Sequence, residues 1–136
     1  SPFIRYDTQD YIVLAPSDRC TCGRSYLNIK KIKGRDGDIL RTPSGKLLIV
    51  ENFVAYFEWI KEVEKIQVIQ NKKDEIIIKM VVNDLYTDEI GIMIEDYWKE
   101  YIGNDVRLVL ELVEDVELTE AGKLRTVIRN PEISLQ

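Results

Sequence analysis

A chain of 136 residues has the length of one domain, and at that size it can bury roughly two-thirds of the surface its unfolded form exposes. Hydrophobic residues at 45% and charged residues at 32% describe an ordinary globular protein rather than a disordered one. The 19 basic and 24 acidic residues leave a net charge of −5, which disfavours a nucleic-acid backbone or an anionic membrane surface as partner, and the absence of histidine removes Ser-His-Asp and Cys-His catalysis and every histidine-containing metal site made within this chain.

Residues 3–14 alternate polar and apolar positions and end in Tyr11-Ile12-Val13-Leu14, which predicts a strand or short hairpin stopped by Ala15-Pro16-Ser17. The chain begins directly in this strand-like sequence, without the basic-then-apolar layout of a signal peptide, and reads as a piece of something longer. No apolar run approaches the ~18 residues needed to span a bilayer. Residues 16–25 are rich in turn formers and hold Cys20 and Cys22, whose spacing makes a strained disulfide ring. Reduced thiols and a cytoplasmic setting follow.

A second strand is expected over 26–33, where Leu27, Ile29 and Ile32 are interleaved with lysines. A polar break, Gly34-Arg35-Asp36-Gly37-Asp38, comes next. Two strands, 39–40 and 47–50, then fold about the turn Thr42-Pro43-Ser44-Gly45. From Glu51 the period changes to that of a helix: Phe53, Tyr56, Phe57 and Ile60 share one face, and Asn52 is the expected cap. Ile66, Val68 and the run 76–82 predict a strand pair across residues 71–74. Tyr86, Ile90, Met93, Ile94, Tyr97, Trp98 and Tyr101 trace a longer helix closed by Gly103. A strand over 106–113 and a short last strand over 126–128 complete the list. The helix aromatics read as core. The order from 46 to 113 is strand, helix, strand, strand, helix, strand. This is a split βαβ order, giving an α+β fold with a small mixed, largely antiparallel sheet, two helices and a β-hairpin segment in front.

Four segments carry the chemistry: Arg5-Tyr6-Asp7-Thr8-Gln9-Asp10, Cys20-Thr21-Cys22-Gly23-Arg24, Gly34-Arg35-Asp36-Gly37-Asp38 and Ala121-Gly122-Lys123-Leu124-Arg125. Together they resemble the carboxyl-terminal end of adenylate-forming acid–CoA ligases, in the phenylacetate–CoA ligase branch with its capsule-biosynthesis and deazaflavin-coenzyme synthetase relatives. The resemblance runs from Phe3 to about Ile133. It implies that residues 1–33 are the last strands of an amino-terminal adenylation domain, 34–38 a hinge and 39–136 the carboxyl-terminal lid. The rest of the adenylation domain, with its phosphate-cradling loop, would then be the missing partner. The complete enzyme would use ATP with Mg, form an acyl-adenylate from a carboxylic acid and pass the acyl group to coenzyme A, while the chain by itself would be inactive.

The resemblance also implies roles. Asp10 would accept hydrogen bonds from the ribose hydroxyls of the adenylate, with Gln9 standing where relatives usually carry glycine. Arg35 would reach the same ribose, as a planar permanent cation can. Asp36, Gly37 and Asp38 would form the hinge, with glycine where relatives place an acidic residue or lysine. Lys123 would be carried into the active site for adenylation, its ammonium offsetting charge on the attacking carboxylate and α-phosphate. Arg41-Thr42-Pro43-Ser44-Gly45-Lys46-Leu47 looks still more like the family's lysine signature, but Lys46 lies in a turn between two strands soon after the hinge, where a sheet would pin it. Cys20 and Cys22 match a Cys-x-Cys-Gly-Arg segment of this branch. They are either half of a split zinc site, completed elsewhere, or two ordinary thiols. The competing reading of the chain is a small regulatory module of split βαβ type that binds a metabolite and dimerises. An RNA-binding sheet is disfavoured by the charge and by the lack of a stacking pair of strand aromatics.

Overall fold

The computed structural model describes residues 4–16 and 21–135. They divide into two compact units, Ser1–Asp36 and Gly37–Gln136. In the first, β1 (Asp10–Leu14) pairs antiparallel with β2 (Ile29–Arg35), so that Asp10 faces Arg35 across the ladder. Register shifts between Tyr11 and Ile12 and between Val13 and Leu14 twist this ribbon. Of the strand or short hairpin expected over 3–14, only residues 10–14 form a strand. Residues 4–9 turn instead, with Arg5 and Gln9 in left-handed backbone at φ 54° and 57°. The second strand runs later than its lysine-interleaved pattern implied and takes in Gly34 and Arg35, leaving Asp36–Asp38 as a single 3-10 turn.

In the second unit, β3 (Ile39–Arg41) and β4 (Leu47–Ile49) form a two-stranded antiparallel sheet about the Thr42–Gly45 turn, with Gly45 at φ 90° as the turn requires. Helix α1 (Val50–Phe57) follows at once. Its cap differs from expectation. Asn52 lies inside the first turn, and its Oδ1 accepts the backbone N–H of Ile49 at 2.8 Å, the reach-back half of a capping box, whose other half the apolar Ile49 side chain cannot supply. The helix stops at Phe57, so Ile60 enters the core from the turn beyond it rather than from the helix face.

β5 (Val63–Lys72) and β6 (Glu75–Val82) form the expected antiparallel pair. Helix α2 (Asp88–Ile102) crosses over from β6 to β7 (Arg107–Leu112), which lies parallel to β6, and β8 (Val127–Arg129) adds parallel to β5 on the other side. The resulting sheet has the order β7-β6-β5-β8. The chain order strand, helix, strand, strand, helix, strand is thus present from β4 to β7. However, β4 pairs with β3 outside the four-stranded sheet, and β8 takes the place beside β5. The class is α+β, with two helices over mixed sheets and a hairpin in front.

The core lies between the helices and the four-stranded sheet. Phe53 and Phe57 of α1 meet Ile94, Trp98 and Ile102 of α2 over Val68, Ile76, Ile78 and Met80. Phe53 stacks on Trp98 with ring centroids 4.5 Å apart, and truncating either ring to alanine removes ~3–5 kcal/mol of stability. Met93 and Tyr97 depart from the apolar stripe expected of α2, for both are exposed, as are Leu27, Ile29 and Ile32 of the first unit. Of the two tryptophans, Trp98 is 1% exposed and Trp59, in the turn after α1, is 83% exposed.

Candidate functional site

In the first unit, Asp10 and Arg35 line one open cleft together with Tyr6, Asp7, Thr8 and Gln9. Both side chains are exposed, and cross-strand register brings them together: directly opposed residues of an antiparallel pair project from the same face. The cleft therefore offers a carboxylate acceptor beside a guanidinium donor, a combination suited to a diol. Gln9 shapes it. Its left-handed φ of 57° is the conformation that glycine adopts without strain. A hydrogen bond from Gln9 N–H to Asp7 Oδ1 at 2.8 Å supports the bend, and Gln9 O accepts the Asp36 N–H at 2.8 Å. The backbone a glycine would give is retained despite the side chain.

Beyond Arg35, in the second unit, Gly37 and Asp38 receive one residue that had no assigned role. Arg125 Nη2 donates to Gly37 O at 3.3 Å and to Asp38 Oδ1 at 2.9 Å. Arg125 had been visible as the end of the Ala121–Arg125 segment, but nothing local tells which of its possible acceptors it meets across 87 residues.

Lys123 sits in a tight turn. Thr119 N–H donates to Lys123 O at 2.8 Å, Gly122 N–H to Thr119 O at 2.8 Å, and Lys123 N–H to Thr119 Oγ1 at 3.1 Å. Gly122, at φ 75°, closes it, and Leu118 bridges to Leu124 below. Lys123 is exposed where this miniature hairpin closes, opposite Thr119. The base is fixed: Gln67 of β5, 1% exposed, donates through Nε2 to Glu117 O at 3.0 Å and Arg125 O at 3.1 Å. A glutamine in a strand pattern gave no signal of this, because its two carbonyl partners are set by chain packing rather than spacing.

Lys46 is placed differently. Its backbone N–H donates to Thr42 Oγ1 at 3.0 Å, and its Nζ donates to Tyr101 O while standing 3.9 Å from the centre of the Tyr101 ring. The ammonium thus sits at the C-terminal turn of α2, where the helix dipole favours a cation. The turn is further held by Ser44 N–H donating to Asp105 Oδ2 at 2.7 Å. That bond, foremost, holds the Asp105 carboxyl below its ordinary range. On Asp115, before the Lys123 hairpin, the Lys65 ammonium at 3.0 Å has the same effect.

Cys20 lies outside the described residues, and Cys22 is exposed. Among the described residues no group of three or more Cys, Asp or Glu side chains could hold a metal ion, and no helix is long and apolar enough to cross a membrane.

No curated protein sequence matches the chain. Two solved structures of 2-hydroxyisobutyryl-CoA ligase in the postadenylation state do match it. The complex with R3-HIB-AMP has 17% identity and a TM-score of 0.53, and the complex with 2-HIB-AMP has 18% identity and a TM-score of 0.54. Each match covers 92% of this chain but 28% of the ligase chain, so this chain spans little more than a quarter of those proteins. At that identity the likeness is one of fold. The family model of the CapK C-terminal domain matches residues 40–130, from β3 through β8. Two-thirds of the chain lies within that match, and the chain belongs to the CapK C-terminal domain family.

Proposed function

We propose that this chain is the carboxyl-terminal lid of an ATP-dependent, phenylacetate–CoA ligase-like acid–CoA ligase, preceded by the last strands and hinge of its adenylation domain. In the complete enzyme a carboxylate oxygen of the substrate attacks the α-phosphorus of ATP, the bond to the leaving pyrophosphate breaks, and an acyl-adenylate forms. The sulfur of coenzyme A then attacks the acyl carbon, AMP departs, and the thiol proton is lost to solvent. Asp10 accepts the ribose hydroxyls and Arg35 donates beside it. Lys123 brings its ammonium to the attacking carboxylate and α-phosphate, where charge concentrates in the first transition state. Magnesium accompanies the nucleotide phosphates, zinc would enter only through Cys20 and Cys22, and the reaction is placed in the cytoplasm. The adenylation domain holds the acid pocket, so the isolated chain is inactive.

The observation that carries this reading is the cleft in which Asp10 and Arg35 meet as cross-strand partners. The contrast between the two candidate lysines supports it: Lys46 is engaged at the end of α2, whereas Lys123 projects from a pinned hairpin. The test is ATP–pyrophosphate exchange by the full-length enzyme, whose coding sequence should continue upstream of Ser1. Lys123→Ala should lower exchange by about 100-fold, the scale of losing one electrostatic stabiliser, while leaving transfer from a supplied acyl-adenylate to coenzyme A intact. Lys46→Ala should keep most of the exchange. The opposite pattern, or a natural product that begins at Ser1, overturns the proposal.

A further inference from the structure

The 36–38 turn is held at its two ends by different partners. Asp36 donates its backbone N–H to Gln9 O at 2.8 Å, within the first unit. One residue on, the carbonyl oxygen of Gly37 and the carboxylate of Asp38 are both taken by Arg125 Nη2, at 3.3 Å and 2.9 Å, within the second unit. Asp36 and Gly37, the first two residues of the 3-10 turn, meet at the boundary between these two attachments.

The glycine has a particular reason to be there. Its φ is outside the left-handed region, so backbone conformation does not demand it. A Cβ at position 37 would instead stand 3.2 Å from Arg125 Nη2, tighter than ordinary van der Waals contact. The missing side chain is the space through which the guanidinium reaches the backbone. At its other end Arg125 is part of the Lys123 hairpin: its own carbonyl accepts Gln67 Nε2 at 3.1 Å, and it follows Lys123 by two residues. A continuous chain of hydrogen bonds thus runs from Gly37 and Asp38 through Arg125 to Gln67 in the middle of the sheet.

We propose that Arg125 is a positioning residue that latches the second half of the 36–38 turn to the base of the Lys123 hairpin. The second half of the turn, Lys123 and the sheet thereby move as one body. The latch rests on the reading above, in which hinge rotation delivers Lys123. It adds a coupling between hinge and lysine that neither segment has without the other.

The latch is tested first without catalysis, by amide hydrogen exchange of the 136-residue chain. Asp38→Asn and Arg125→Gln, which weaken opposite sides of one half-exposed charge-assisted contact, should each speed exchange of the Thr119 and Gly122 amides by about three-fold. The double variant should go no further than either single one. Arg125→Lys, which keeps a cation within reach of both acceptors, should retain most of the protection. Hairpin amides that ignore Asp38→Asn, or a double variant whose effect is the product of the two single effects, overturn the latch. In the full-length enzyme, Arg125→Gln should lower the maximal rate of pyrophosphate exchange by about ten-fold, as expected for a misplaced catalytic group. KM for ATP should stay unchanged, and Arg125→Lys should restore the rate. A change confined to KM overturns the positioning role. The two proposals fail differently. A wild-type enzyme that exchanges no pyrophosphate overturns the lid reading and the delivery role with it, whereas uncoupled amides in an enzyme that does adenylate overturn the latch alone.

Discussion

Gln70 provides a demanding test of how the second unit is held together, because it is wholly buried and its side chain bonds to backbone through both its oxygen and its nitrogen. Its Oε1 accepts the Arg41 N–H at 3.2 Å, while its Nε2 donates to Arg41 O at 2.7 Å and Lys73 O at 3.2 Å. The side chain therefore imitates a neighbouring strand for β3, which begins directly after Asp38. Gln70→Leu keeps the volume but removes three hydrogen bonds and leaves the β3 and turn groups without those partners. Part of this is offset by about 1 kcal/mol of added apolar burial, but leaving desolvated groups unpaired costs ~1–3 kcal/mol apiece. The expected net loss is ~3 kcal/mol, or roughly 10 °C in Tm for a chain of this size. Thermal unfolding followed by circular dichroism reads it, and exchange of the β3 amides should rise more than that of β6. A Tm within 2 °C of wild type, on the order of half a kcal/mol, would refute the idea that this glutamine docks β3.

The remaining predictions concern the two exposed turns. Gln9 pays for a left-handed backbone that glycine takes freely, about 1 kcal/mol, so Gln9→Gly should preserve or slightly raise protection of the Asp36 amide, whereas the β-branched Gln9→Val should lower it at least five-fold. Equal tolerance of both substitutions in hydrogen exchange would remove the argument that the bend depends on left-handed backbone at Gln9. At Asp105 the folded carboxyl titrates below its ordinary 3.8. The carboxylate's contribution is therefore fully present above that value and is lost as pH falls through the lower, folded one. An acid titration of the Ser44 amide by NMR should show its midpoint below 3.8, and Asp105→Asn should abolish the transition.

Elements bounded by local rules were legible in the sequence. The Thr42–Gly45 turn, the β5–β6 hairpin and the end of α2 at Gly103 follow from turn chemistry, alternation and a glycine cap, and all three are found. Legibility declined where a residue type admits two positions. Asn52 can cap from the boundary or reach back from inside the first turn, and it is the preceding Ile49 that selects the second. Strand order was only partly legible: the turn predicts that β3 and β4 pair, as they do, but nothing local tells that this pair stays outside the four-stranded sheet while β8, some 60 residues from β5, takes the place beside it. Buried polar clamps were equally hidden. Nothing in the pattern around Ile66 and Val68 marks Gln67 and Gln70 as buried, yet both lie inside on the central strand β5 and serve loop and strand carbonyls. Of the candidate site, the resemblance supplied Asp10, Arg35 and Lys123. The structure adds the register that unites the first two and the anchorage of the third.

The two indoles furnish an internal pair of optical reporters. Trp98, sealed against Phe53, should emit in the blue and resist acrylamide, while Trp59, standing in water beyond α1, should emit in the red and be quenched at once. A single emission spectrum therefore separates global melting from events confined to the surface around Trp59. Docking of any larger body over that turn would shield the red component and leave the blue one untouched, with no label needed.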